Sequence, residues 1–178
     1  MVLEIHTDYD AAHLEELQRV LSQTVNPEIA KSSKRSCYIA GGLAVVAGVG
    51  LMVAMHKVMA MAMVIVGLGL FCLERGVNYF KHAGKSVRRR MNPAFTGNDY
   101  ILDELGIRVE NVTGVLEYNY EDCDRLLETE KNVYIILNDG QGLILDKNNL
   151  QGGSVEQLHT WLEENCKKQL EFVELKGK

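Results

Sequence analysis

Residues 37–55 read CYIAGGLAVVAGVGLMVAM, and residues 58–73 read VMAMAMVIVGLGLFCL. The first stretch has 19 residues without a charge, close to the ~20 that cross a hydrocarbon core. The second has 16, slightly short of a span, and can borrow length past Glu74 through Gly76, Val77, Tyr79 and Phe80. Only His56 and Lys57 separate them. One unbroken helix over both would be roughly 55 Å long, far more than a bilayer about 30 Å thick can cover. A buried soluble hairpin would need a large apolar partner, and nothing else in the chain is apolar enough. The pattern predicts a helical hairpin that crosses a membrane twice, with a tight turn at His56-Lys57.

Charge around this block sets its expected orientation. Lys31, Lys34 and Arg35 precede it, and Arg75, Lys81, Lys85, Arg88, Arg89 and Arg90 follow. The turn carries Lys57 alone. The positive-inside rule puts both termini in the cytoplasm. Met1 to Asn26 has no basic n-region and no apolar h-region, so the block itself is expected to act as the insertion signal. Ala40, Ala44 and Gly48 recur every four residues, and Ala62, Gly69, Gly76 and Ala83 every seven. Such stripes let backbones approach closely in lipid. Packing of the hairpin on itself is the favoured use, homo-oligomerisation the other. Neither span carries an Asp, Glu, Lys or Arg at membrane depth, which argues against an autonomous channel or pump.

The mean hydropathy of -0.07 hides this block, because acidic residues crowd the other end. From Asp99 onward, eight basic residues against seventeen acidic ones leave a charge of -9, whereas Arg75 to Arg90 carries +6. The basic collar suits an anionic inner leaflet, which repels the acidic part. That balance disfavours nucleic acid as a partner and gives a phosphoinositide reader no basic pocket.

Upstream, Val2 to Thr7 alternates weakly as a short strand, and Asp8 or Asp10 can cap a following helix. Ala11, Leu14, Leu17, Val20 and Leu21 form an apolar stripe at helical spacing, which Pro27 closes. Its polar face is acidic near the start, so packing on protein is expected rather than on anionic lipid. Downstream, Asn92-Pro93 and Gly97-Asn98 break the helix. Tyr100 to Glu104 pairs with Gly106 to Asn111, and Val115 to Tyr120 follows. Asp122 to Glu128 reads as a strand, or Asp122 to Glu130 as partly helical. Asn132 to Leu137 and Leu143 to Leu145 flank Asn138-Asp139-Gly140, a hairpin signal. Ser154 and Gln157 form a capping-box pattern before a helix with Val155, Leu158, Trp161, Leu162 and Cys166 on one face. Antiparallel strands closed by a C-terminal helix are the layout of a pleckstrin-homology-like barrel.

Tyr118-Asn119-Tyr120-Glu121-Asp122, Glu128-Thr129-Glu130-Lys131 and Leu143-Ile144-Leu145-Asp146-Lys147 together resemble the YcxB-like family of bacterial membrane proteins. The resemblance covers most of the chain: a short N-terminal region, two close spans, a basic linker and a pleckstrin-homology-like domain. The family often has a proline before the lysine, where Asp146 stands here, which puts any shared ligand role for Lys147 in question. It implies no particular activity. The expected fold class is therefore an α+β membrane protein, a two-helix transmembrane hairpin followed by a small, mostly antiparallel β domain closed by a helix. The expected divisions are 1–35, an N-terminal cytoplasmic segment; 36–90, the hairpin with its basic extension; and 91–178, the YcxB-like domain.

No pattern of catalytic chemistry emerges. Gly140-Gln141-Gly142 is a hairpin turn without a following helix, so it is no phosphate loop. His6, His13, His56, His82 and His159 are scattered, without metal-ligand spacing. Cys37, Cys72, Cys123 and Cys166 form no knuckle or redox motif and are expected as free thiols. Glu163-Glu164 and Glu171 to Glu174 read as solvated faces, and Ser154 as a cap. Asn111-Val112-Thr113 matches a glycosylation acceptor that a cytoplasmic location leaves idle. No catalytic, cofactor or metal residues are expected. The expectation is a non-enzymatic protein of the cytoplasmic membrane, multi-pass, with the bilayer and a protein partner or second copy as its contacts. The alternative is a sensor or accessory subunit that binds a small molecule or lipid, as part of a transporter complex.

Overall fold

The computed structural model describes residues 2–25, 27–54 and 59–175. They form an α+β chain that divides into two compact units: Met1–Val20 with Gly84–Lys178, and Leu21–Ala83.

The first unit is built on two sheets. Strand β1 (Leu3–Asp8) lies between β2 (Gly97–Leu102) and β8 (Leu150–Gln151), antiparallel to both. Its register with β2 runs from Leu3↔Leu102 to Asp8↔Gly97. Strands β3 (Ile107–Asn111) and β4 (Gly114–Tyr118) complete the order β4-β3-β2-β1-β8. The second sheet has the order β7-β6-β5-β9, from β5 (Cys123–Glu128), β6 (Asn132–Leu137), β7 (Gly142–Asp146) and β9 (Leu170–Phe172). Only β9 runs parallel to its neighbour, β5. Of the two readings of the stretch from Asp122, the strand holds, over Cys123–Glu128, with Asp122 ending a 3-10 turn over Tyr120–Asp122, and the Asn138-Asp139-Gly140 hairpin joins β6 to β7.

Period-two alternation fills the core between the sheets. Leu3, Ile5, Tyr100, Leu102, Ile107 and Val109 come from the first sheet, and Leu126, Val133, Ile135, Leu137 and Leu145 from the second. Each such side chain contributes about 1.5–3 kcal/mol on burial. Helix α5 (Val155–Cys166) adds Leu158, Leu162 and Cys166 to the same core. It starts with the expected box: Ser154 Oγ accepts the Gln157 amide while Gln157 Oε1 accepts the Ser154 amide.

Helix α1 (Ala11–Thr24) begins where Asp10 Oδ1 accepts the amides of Ala12 and His13. Leu14, Leu17 and Val20 are buried, so the apolar stripe packs on protein as expected. Pro27 does not merely close α1. It opens α2 (Pro27–Ala54), so Lys31 to Arg35 are already helical. After α3 (Met59–Val77) and Asn78, α4 (Tyr79–Arg90) carries the basic residues. Gly84 lets α4 cross α1, for a Cβ there would lie 2.7 Å from the Glu15 amide nitrogen. The first twenty residues and residues 84–90, which the sequence divisions set apart, thus belong with the β domain.

The second unit is an antiparallel pair, α2 against α3. A Cβ on Gly41 would lie 2.9 Å from the Gly69 carbonyl oxygen, and a Cβ on Gly69 2.9 Å from the Gly41 carbonyl oxygen. Gly48 meets Ala62 and Val66, and Gly76 meets Cys37. The seven-residue stripe on α3 is therefore the contact face, with Ala62, Gly69 and Gly76 buried. On α2 the four-residue stripe meets α3 at Gly48, while Gly41 and Val45, each one position on from Ala40 and Ala44, make the rest of the contact and Ala40 is exposed. Leu43, Val46, Val53, Val64, Leu68 and Phe71 point outward, exposed on the two helices. One helix, over Lys31–Val53, is long and apolar enough to cross a membrane. The turn expected at His56-Lys57 lies outside the described residues.

A fragment of residues 91–178 lacks the strand between β2 and β8. It is expected to show no cooperative thermal unfolding by circular dichroism. Adding a synthetic peptide of residues 1–10 restores a transition if β1 is what the fragment lacks.

Candidate functional site

Strand β6 reads NVYIIL, and all six of its residues are buried. A half-covered strand would expose alternate positions, so both faces of this one are covered. Val133, Ile135 and Leu137 face the main core. Asn132, Tyr134 and Ile136 face the opposite way, toward α1. Leu17 of α1 packs beside Gly142 and Ile136.

At the polar end of this second interface sits Glu16. Its Oε1 accepts three hydrogen bonds: from Thr129 Oγ1 at 2.6 Å, Tyr134 OH at 2.9 Å and Asn132 Nδ2 at 3.0 Å. Burial alone would raise the Glu16 carboxyl, but the three donors outweigh it and hold it below its ordinary value. The same contact pushes the Tyr134 phenol well above its ordinary value, by burial and by the adjacent carboxylate. Glu16 lines a groove of about 590 Å³, together with Ala12, Glu15 and Arg19 of α1, residues 129–131 and Phe172–Leu175. Sequence reasoning quoted Thr129, Glu130 and Lys131 only for a family resemblance and Glu171 to Glu174 as a solvated face, and it gave Glu16 no role. The usable signal was the unbroken apolar run of β6, which demands a second cover, and α1 was the amphipathic helix without an assigned partner.

Lys147 lies at a second polar cluster. Its Nζ donates to Glu128 Oε1 at 2.6 Å and to the Thr129 carbonyl at 2.7 Å, with only 14 % of the side chain exposed. His159 Nε2 of α5 lies 3.1 Å from the same carboxylate oxygen, without hydrogen-bond alignment. Lys147 thus ties the end of β7 to β5, and its charge is used inside the domain. Asp146 before it accepts the Asn148 amide, capping a short 3-10 turn over Lys147–Asn149. The Asp146 amide donates to Thr7 Oγ1 of β1 at 3.1 Å, a bond that the family's proline cannot make.

His6 contacts Asp99 at 2.6 Å, and that bond raises its pKa against burial. His13 pairs with Asp10, and His82 with Glu74. The four cysteines are free thiols, Cys123 and Cys166 buried in the main core. Asn111 donates to Asn98 Oδ1 and accepts the Thr113 amide, so the glycosylation pattern forms the turn between β3 and β4. Glu163 is not merely solvated: it accepts the Leu170 amide ahead of β9. Among the described residues, no three His, Cys, Asp or Glu side chains are placed to hold a metal.

Strand β4 ends the first sheet. None of its five residues is buried, and Val115 and Leu116 are 56 % and 51 % exposed on opposite faces. Its outer backbone edge pairs with no described strand. An open edge with apolar flanks is a template for an added strand.

A family model described as YcxB-like protein matches residues 102–162, about a third of the chain. The match spans β3 to most of α5 and includes Glu128, Lys147 and His159. No curated protein and no solved structure matches the chain.

Replacing Lys147 by Met leaves the Glu128 carboxylate half-buried without its cation. The expected cost is about 3 kcal/mol of stability, read from urea melts of the full chain. Glu128→Gln combined with Lys147→Met should recover part of that loss.

Proposed function

We propose, with a YcxB-like family model matching residues 102–162 in support, that this chain is a non-enzymatic protein of the cytoplasmic membrane that presents its β domain to a protein partner. In this reading α2 and α3 both cross the bilayer and both termini are cytoplasmic. The observation that carries the topology is the pairing of β1 with β2. These strands flank the hairpin in sequence yet lie side by side in one sheet. In this reading the chain between them returns to the side of the membrane it left, which favours an even number of crossings. Lys31–Val53 suits one crossing, which calls for a second, and among the described residues α3 is the other apolar helix between β1 and β2. Its outward Val64, Leu68 and Phe71 suit lipid. The basic flanks favour a cytoplasmic side for both ends.

The partner site is the free edge of β4. We take its occupant to be an extended, basic segment of another protein, added as a strand with apolar side chains at alternate positions. The charge of -9 from Asp99 onward favours a basic segment, and the exposed Val115 and Leu116 favour apolar contacts on both faces.

Single cysteines at Ser32 and Thr160, in a background with the native cysteines replaced, should resist a membrane-impermeant maleimide in whole cells, while one at His56 reacts. Reaction at either of the first two positions from outside overturns the topology. A photo-crosslinking residue at Val115, in native membranes at near-native expression, should give one adduct with a basic, extended segment of another protein. Leu116→Asp abolishes it. An adduct with a second copy of the chain, or the same adducts from Glu164 on α5, refutes the docking edge.

A further inference from the structure

Helix α4 holds five cations, Lys81, Lys85, Arg88, Arg89 and Arg90, and no carboxylate. Its sides are not alike. Gly84 faces α1, and Phe80 takes the Lys34 ammonium of α2 at 3.9 Å from the centre of its ring. Turned away from both is the side of His82, Lys85, Ser86 and Arg89, which the helical spacing i, i+3, i+4 and i+7 puts in one row. Lys85, Ser86 and Arg89 are exposed. Among the described residues, neither Lys85 nor Arg89 forms an ion pair or a hydrogen bond, whereas Arg88 donates to the Asn92 carbonyl at 3.5 Å.

The bend before α4 fixes where that row points. Met61–Val77 of α3 and the whole of α4 are bent by 83° to one another, so a helix that crosses the bilayer along its normal is followed by one that lies nearly in its plane. His82 Nε2 reaches back to Glu74 Oε1, one turn before the bend, at 3.3 Å, and Asn78 at the bend donates to the same oxygen at 2.9 Å. The His82 side is therefore the inside of the corner, and it looks along α3 toward the hydrocarbon core. Lys85 and Arg89 follow His82 outward on that side, at the level of the headgroups. Glu74, the carboxylate at the corner, is taken up by Asn78 and His82. We propose that Lys85 and Arg89 bind the phosphate of one anionic phospholipid of the cytoplasmic leaflet, with the Ser86 hydroxyl beside them as a further donor. The planar fork of an arginine suits two phosphate oxygens, and a lysine adds a point charge. Of the whole basic collar, these two side chains carry the preference for that lipid. The site rests on the reading that α3 crosses the bilayer and ends in the cytoplasm, and it stands whether or not the β4 edge docks a partner.

The test uses the full chain in detergent, titrated with equimolar dioleoylphosphatidylglycerol and dioleoylphosphatidylcholine, with bound lipid counted by native mass spectrometry. Each cation near an anionic headgroup contributes about fivefold in affinity, so the parent chain should retain one phosphatidylglycerol at least about tenfold more tightly than phosphatidylcholine. Lys85→Gln with Arg89→Gln, both at exposed positions, should melt within a few degrees of the parent and reduce that preference to about twofold or less. Arg88→Gln with Arg90→Gln removes the same charge from the same helix, off this row, and should keep the preference. No preference in the parent chain, an undiminished one in the first double variant, or an equal loss in the two double variants overturns the proposal. Maleimide labelling of the cysteines at Ser32, His56 and Thr160 reads the topology on its own, so with that labelling as expected such a result counts against the headgroup site alone.

Discussion

The first strand of the chain lies in the middle of a sheet whose other members come after the hairpin. Everything else follows from that placement. β1 must find β2 across the whole of α1 to α4, and the loop-closure entropy of that contact is offset only by burying Leu3 and Ile5 in the main core. The β domain is thus one domain with a hairpin inserted in it rather than a tail behind an anchor. The insertion is also what lets α1 reach β6: the helix follows β1 directly and is delivered to the second sheet's outer face.

Second-sheet burial then sets the chemistry. With both faces of β6 covered, Asn132 and Tyr134 cannot reach solvent and need partners of their own. Glu16 supplies one acceptor to both and to Thr129. The neighbouring Lys147–Glu128 pair works on the other side of the same loop, since Lys147 also bonds the Thr129 carbonyl. One short segment, 128–132, is therefore held by two charged residues from different elements. That explains why the matched lysine is spent internally.

Local signals were legible in the sequence and remote ones were not. The apolar hairpin, the β6–β7 turn at Asn138-Asp139-Gly140 and the Ser154/Gln157 box each depend on neighbouring residues. The β6–β7 turn and the box stand in the structure as read, and of the apolar block the structure shows two paired helices, with Lys31–Val53 long and apolar enough to cross a membrane. The partner of Val2 to Thr7 was illegible, because weak alternation says nothing about which strand lies alongside. The α2 contact face was misplaced by one residue at Ala40 and Ala44, since Ala40-Ala44-Gly48 and Gly41-Val45-Gly48 both contain small residues and only α3's carbonyls decide between them. Glu16 escaped notice for a related reason: an acidic residue in the first turns of a helix reads as solvated until β6 is placed beneath it.

The Gly41–Gly69 contact has a mechanical consequence. Each glycine gives room to the carbonyl of the other, an arrangement that suits weak Cα–H···O contacts. Sliding α3 along α2 by one turn would bring Ile65 or Leu73 toward the Gly41 carbonyl in place of Gly69. The pair therefore resists piston motion while leaving rotation about the shared contact less restricted. Any signal carried along this hairpin would travel as a tilt of two locked helices, not as a displacement of one past the other.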